Sequence, residues 1–180
     1  HIPLDGTDAI IDYHHLGSNN KEIDKINILL VSTTKNVIKE HAGLIKKSGF
    51  RPDIFDTDPI AIANIYKFNH GLSPDGADVI LNIGNSTTSL IVWGKNCPFF
   101  TRNIEISGDY FTNEMMRKLS LDYQAAENLK FEKGINAFID NSEQDSEGEI
   151  SIEKRTCFNE FCEDIKRTLR FYMKNNSHAF

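Results

Sequence analysis

The stretch Val79–Trp93, VILNIGNSTTSLIVW, constrains the fold more than any other part of the chain. Two apolar, β-branched runs flank Gly84, Asn85, Ser86, Thr87 and Thr88, the pattern of two antiparallel strands joined by a tight turn. Such a turn sets backbone N–H groups and Ser/Thr hydroxyls on one concave side, which suits an anion such as a phosphate. Gly-Asn and Ser-Thr pairs are also ordinary hairpin chemistry, so the turn alone reads either way. It is not a Walker loop, because no GxxxxGK[ST] occurs. It is not a dinucleotide fingerprint either, because a strand rather than a helix follows the glycine.

The rest of the chain supplies context for that hairpin. Ala9–Leu16 and Ile26–Ser32 read as strands joined by the polar stretch Gly17–Lys25. Thr33 or Thr34 can cap a helix from about Lys35 to Ser48, which Gly49 would stop. Arg51–Asp56 is expected as a third strand, with Pro52 near its start. Asp58 as N-cap and Pro59 at the first helical position open a further helix carrying Ile62, Ile65 and Tyr66. His70–Ala77, with Gly, Pro and Ser, is the expected domain boundary. Strands follow over Val79–Ile83, Thr88–Trp93 and Phe99–Ile106, then helices over Tyr110–Leu119 and Tyr123–Lys133, the latter ended by Gly134. Asp140–Glu153 is acidic and reads as a solvated loop without the EF-hand pattern. A last helix, about Arg155–Lys174, carries Phe158, Phe161, Ile165, Leu169 and Tyr172 at core spacing.

Composition removes several function classes. Hydrophobic residues at 39% support a packed core, and a net charge of −6 argues against a general nucleic-acid binder, which needs a basic surface. Cys97, Cys157 and Cys162 lack framework or zinc spacing and read as free thiols. No apolar run is long enough to span a bilayer. The chain starts at His1, without an initiating Met or a signal-peptide pattern, and reads as an excised piece of a cytosolic protein. His14 and His15 would point to opposite faces of their strand, which makes them poor joint metal ligands. Asp56 and Asp58 read as strand end and helix cap. Glu127 and Lys130, three apart on a helix, are most simply a surface ion pair. No Ser/His/Asp or Cys/His triad can be argued from spacing.

The segment NIGNSTTSLIVWGKNCPFFTRNIEISGDYFT resembles the DIGxxxT…G…FTR.I..GG..LT pattern of PilM-type pilus assembly proteins, members of the actin-like ATPase superfamily. FtsA and the heat-shock chaperone ATPases share a looser form. ILLVSTTKNVIKEHAGLIKKSGFRPDIFDTDPIAIAN and IPLDGTDAIIDYHHL resemble the preceding PilM blocks in the same order. The resemblance implies a mixed α/β fold: an actin-like, ribonuclease H-like 2A/2B subdomain preceded by a strand–helix–strand–strand 1C-type (SHS2) subdomain. Residues 1–70 would be the 1C-like part, and residues 77–180 the 2A part with a 2B-like insertion at about 122–153. The amino-terminal subdomain with the first phosphate loop, and the Gly-Gly loop after the final helix, would lie outside this chain.

The resemblance also implies ATP and Mg2+ as ligands. Gly84, Asn85, Ser86, Thr87 and Thr88 fall on its second phosphate loop, and Gly108 on the glycine that opens the following helix. Glu127 and Lys130 fall where related ATPases contact the adenosine. Asn82 stands where the family has Asp; it would reach a metal only through water and brings no charge, so ATP binding rather than hydrolysis is expected. The implied role is a cytoplasmic component, peripheral to the inner membrane, that recruits the cytoplasmic tail of a PilN-type membrane protein alongside other pilus platform proteins. The alternatives are an FtsA-like division protein that polymerises at the membrane, or a nucleotide-free scaffold. A sugar kinase would need a catalytic acid where Asn82 stands.

Overall fold

A computed structural model of the chain describes residues 8–18, 24–134, 136 and 157–176. They form a mixed α+β structure of two small sheets and five helices. The chain divides into two compact units, His1–Ala61 and Ile62–Phe180, the division falling inside one helix. The acidic stretch 140–153, and with it much of the expected 2B-like insertion, lies outside the described residues.

In the first unit, β1 (Ala9–Ser18) pairs antiparallel with β2 (Ile26–Thr34), Tyr13 opposite Leu30 and His14 opposite Leu29, with a register shift between His15 and Gly17. Helix α1 (Lys35–Lys47) follows directly. The Val37 amide donates to the Thr34 hydroxyl at 3.4 Å, a side-chain N-cap that satisfies one of the helix's orphan donors. Its other end closes in a left-handed stop: Gly49 has φ +85°, its amide reaches Lys46 O, and the Phe50 amide reaches Ile45 O. The expected third strand at Arg51–Asp56 does not form. Among the described residues this sheet holds two strands and Arg51–Asp56 joins neither, and Pro52 lacks an amide to donate. Its polar groups bond locally instead, Arg51 Nε to Asp53 and the Thr57 amide to Asp56, each at 2.8 Å. Helix α2 (Asp58–His70) then begins, with Asp58 already inside its first turn.

The second unit is organised around a three-stranded antiparallel sheet in the order β3 (Asp78–Ile83), β4 (Thr88–Trp93), β5 (Phe100–Ile104). The central strand is buried along nearly its whole length, which explains its unbroken apolar run. Leu90 and Val92 point into a core with Ile104, Ile106, Phe111, Cys157, Phe161 and Tyr172. Helices α3 (Gly108–Leu119) and α5 (Cys157–Asn175) contribute the last four; α4 (Tyr123–Lys133) is capped by Asp122, whose carboxylate accepts from the Ala125 amide. Phe111 and Phe161 meet edge to face at 5.8 Å. Along α5, Phe161 and Tyr172 are buried, and Ile165 and Leu169 pack against the core, as their spacing predicts. Cys157 and Thr168 share that face. Thr168 receives Arg102 Nη1 at 3.2 Å, and Tyr172 donates to Pro98 O at 2.8 Å, so polar groups lock α5 to β5 and the loop before it. All three cysteines are free thiols.

The stretch between α2 and β3, whose composition suggests a linker, is pinned to the sheet. The Ser73 amide donates to Asp78 Oδ2 at 2.9 Å, the Lys95 amide to Ser73 O at 3.1 Å, and Asn96 Nδ2 to Pro74 O at 3.0 Å. Gly94 is required there, because a Cβ on it would lie 2.0 Å from Gly76 O.

Candidate functional site

The hairpin between β3 and β4 is built as its sequence suggests, with Ile83 opposite Thr88 and residues 84–87 as the turn. The Gly84 amide donates to Thr87 O at 3.0 Å, and a Cβ at Gly84 would meet that same oxygen at 2.8 Å, so the turn closes only around glycine. Asn85, Ser86 and Thr87 are exposed. Their amides donate to no carbonyl among the described residues, which leaves a run of three free N–H groups beside the Ser86 and Thr87 hydroxyls. Thr88 differs. It is fully buried and its hydroxyl donates to Ile106 O at 2.8 Å, so it ties the hairpin to the segment between β5 and α3.

The hairpin also caps α3. The N-cap Ser107 makes no side-chain cap bond. Instead the Gly108 amide donates to Gly84 O at 2.9 Å and the Asp109 amide to Asn85 O at 2.8 Å. Those are the helix donors that a phosphate would otherwise take. Gly108 thus serves close approach: a Cβ there would sit 3.3 Å from Gly84 O and 3.6 Å from Asn85 Cα. The hairpin thus keeps the Asn85–Thr87 amides open while taking up two of the first amides of α3.

On its other side the Gly108 peptide meets α4. Lys130 Nζ donates to Gly108 O at 3.1 Å, to Thr112 Oγ1 at 2.7 Å and to Glu127 Oε1 at 2.5 Å. Thr112, fully buried, also hydrogen-bonds the Glu127 carboxylate, and its hydroxyl lies 3.0 Å from Gly108 O. The Lys130 ammonium, and then the Thr112 hydroxyl, hold the Glu127 carboxyl below the usual carboxylate range. The pair is therefore more than a solvated surface bridge; the side chains of Lys130 and Glu127 are only 25% and 32% exposed. The structure brings Gly84, Asn85, Gly108, Glu127 and Lys130 into one connected cluster. Thr112 belongs to it and was not anticipated; the signal was a Thr four residues after Gly108 in a helix, where its hydroxyl can reach that carbonyl.

Among the described residues, Asn82 makes no hydrogen bond to this cluster. It is exposed on β3, directly opposite Ser89, whose hydroxyl meets Asn103 Oδ1 on β5 at 3.2 Å. Asn82, Ser89 and Asn103 thus form a neutral polar row across one face of the sheet.

In the first unit, a cavity of about 560 Å³ opens between the β1–β2 sheet, α1 and the segment leading into α2. Ile10, Leu29, Val31, Val37, Ile38 and Ile60 supply its apolar wall, with Asp12, His14, His41 and Asp56 among its polar groups. His14 lines it, while His15 sits on the opposite face of the strand. Among the described residues, no helix is long and apolar enough to cross a membrane, and no three His, Cys, Asp or Glu side chains converge as a metal site would require.

Comparison with known proteins gives these sites a setting. A family model described as type IV pilus assembly protein PilM matches residues 1–178. Among solved structures, a chain of a PilM-PilN type IV pilus biogenesis complex superposes with a TM-score of 0.74 at 22% identity, a likeness of fold. The match covers 95% of this chain and 47% of that one, so this chain spans about half the length of its structural relative. A search of curated proteins gives no match.

Proposed function

Because this chain belongs to the PilM family of type IV pilus assembly proteins, we propose that it is part of an ATP-binding, actin-like component of the pilus assembly platform, which recruits the cytoplasmic tail of a PilN-type membrane protein. The observation that carries the nucleotide reading is the open side of the hairpin: three unbonded amides and two hydroxyls at residues 85–87, beside the Gly108 and Lys130 cluster. Such donors fit phosphate oxygens. In this reading Gly84 and Gly108 let the backbone approach the phosphates, Asn85, Ser86, Thr87 and Thr88 form the loop, with Thr88 acting through its buried hydroxyl, and Glu127 and Lys130 border the site on its adenosine side. Mg2+ would neutralise phosphate charge, and Asn82 could accept a hydrogen bond from one of its waters. With no carboxylate at position 82, the nucleotide acts as a conformational ligand, favouring one arrangement by differential affinity.

Residues 1–70 are read as the 1C-type (SHS2) part, and residues 77–180 as the 2A part with a 2B-like insertion at about 122–153. The first-unit cavity, an apolar trough edged by carboxylates and imidazoles, is the proposed seat of the partner's tail. That partner is suggested by the PilM-PilN complex to which the fold is similar; the proposed location is the cytoplasm, peripheral to the inner membrane.

The test is titration of the whole gene product with ATP and Mg2+, followed by titration with a PilN-type amino-terminal peptide. Saturable binding of both supports the proposal. Absence of nucleotide binding with retained peptide capture would leave a nucleotide-free scaffold, and failure of peptide capture would remove the pilus-partner reading.

A further inference from the structure

Gly108 is held from both sides. Its N–H is bonded to Gly84 O of the hairpin, and its C=O accepts from Lys130 Nζ at 3.1 Å with the Thr112 hydroxyl 3.0 Å away. An ammonium has three N–H donors. Those of Lys130 find three acceptors inside the chain: Gly108 O, Thr112 Oγ1 and Glu127 Oε1. A hydroxyl has one proton. With Lys130 serving the Gly108 carbonyl, the Thr112 proton is free for Glu127 Oε1. The Thr112 side chain is fully buried and cannot itself touch a ligand in the hairpin.

We infer that Thr112 is a positioning residue: with Glu127 it fixes Lys130 on the Gly108 carbonyl, and through that peptide it sets the placement of the Gly84–Thr87 hairpin. Lys130 then acts on a phosphate through the backbone it holds as well as by its charge. The functional half of this inference rests on the nucleotide reading above; the structural half does not. Amides capped by the hairpin exchange with solvent only when the cap opens, so loosening Gly108 should expose the Gly108 and Asp109 amides together.

The experiment compares Thr112→Val, Thr112→Ser and Lys130→Met in the whole gene product, first by amide exchange without nucleotide. Gly108 and Asp109 should exchange about tenfold faster in T112V and K130M, the loss expected for a charge-assisted hydrogen bond, while the Ile91 amide in the central strand stays unchanged and T112S behaves as wild type. Unchanged exchange at Gly108 and Asp109, or an equal acceleration at Ile91, overturns the inference, the latter because it marks a merely global loss of stability. The second arm titrates each variant with a non-hydrolysable ATP analogue. About tenfold weaker binding by T112V, restored in T112S, supports positioning, because the buried Thr112 makes no contact of its own. Equal affinity of T112V and wild type overturns it. If wild type binds no analogue, the nucleotide reading fails and the exchange result alone decides the positioning role.

Discussion

Thr88→Val separates the buried end of the hairpin from its open turn. The two side chains have nearly the same shape, so the change removes a hydroxyl and little else. That hydroxyl donates to Ile106 O at 2.8 Å, and both residues are buried, so the carbonyl would be left without its side-chain donor and without water. A buried acceptor stripped in this way costs about 1–3 kcal/mol. The added methyl returns about 0.8 kcal/mol through apolar burial. The net expectation is a loss of about 0.2–2 kcal/mol. Trp93, the single tryptophan of the chain, lies at the far end of the same strand and reports unfolding of this sheet directly. With a urea slope of about 2 kcal/mol per molar, the midpoint should fall by roughly 0.1–1 M. Ser86→Ala, at an exposed turn position, should change the stability by less than about 0.5 kcal/mol in the same assay. A Thr88→Val midpoint equal to or above wild type would refute the idea that this hydroxyl anchors the hairpin.

Gly94→Ala should be among the most damaging single-methyl additions, destabilising by more than about 3 kcal/mol in urea titration, because the new Cβ would lie 2.0 Å from the backbone oxygen of Gly76. Gly43→Ala, inside α1 with nothing within 4 Å, should instead stabilise by about 0.5–1 kcal/mol, read by circular dichroism on thermal unfolding. Burial, and then the nearby Cys97, push the Tyr172 phenol up to about 12, from 10.0 in an unfolded chain. A raised acid keeps its proton longer when folded, so stability is full below pH 10 and falls between pH 10 and 12, by about 1.4 kcal/mol per unit; Tyr172→Phe should flatten that slope in stability measured against pH. Leu29→Asp, in the wall of the first-unit cavity, should weaken capture of a PilN-type peptide by at least about tenfold in calorimetry, with nucleotide titration unchanged.

Much of the fold was legible because its local signals agree. The Thr34 cap, the Gly49 stop, the hairpin glycine and the α5 stripe each point to the element that forms. The third strand of the first unit was not legible, because Arg51–Asp56 has the composition of a strand but no neighbour to complete its ladder, and pairing is a tertiary fact. The candidate site was legible as a set of types and only partly as a set of roles. Ser, Thr and Gly at residues 84–88 suggest an anion loop, yet burial assigns Thr88 to structure while Asn85, Ser86 and Thr87 stay open. Spacing alone made Glu127 and Lys130 a surface pair. That they enclose Thr112 and grip Gly108 follows from the packing of α4 on α3, which no pair spacing encodes.

The same distinction bears on Asn82. Its neighbours in the sheet, Ser89 and Asn103, are neutral and polar, and the strand register sets the three in one row. An Asp in place of Asn82 would face hydroxyl and amide groups rather than a cation, so its carboxylate would remain available to a hydrated metal. In the proposed reading, binding belongs to the 85–87 amides and hydrolysis to position 82, and the two are separable. Asn82→Asp should therefore raise any ATPase rate while leaving analogue affinity within about threefold, because the hairpin donors are untouched. A variant that binds ATP and shows the wild-type turnover would take the catalytic meaning away from position 82. A variant that loses binding would show instead that the neutral row supports the hairpin, and that the amide at position 82 is structural.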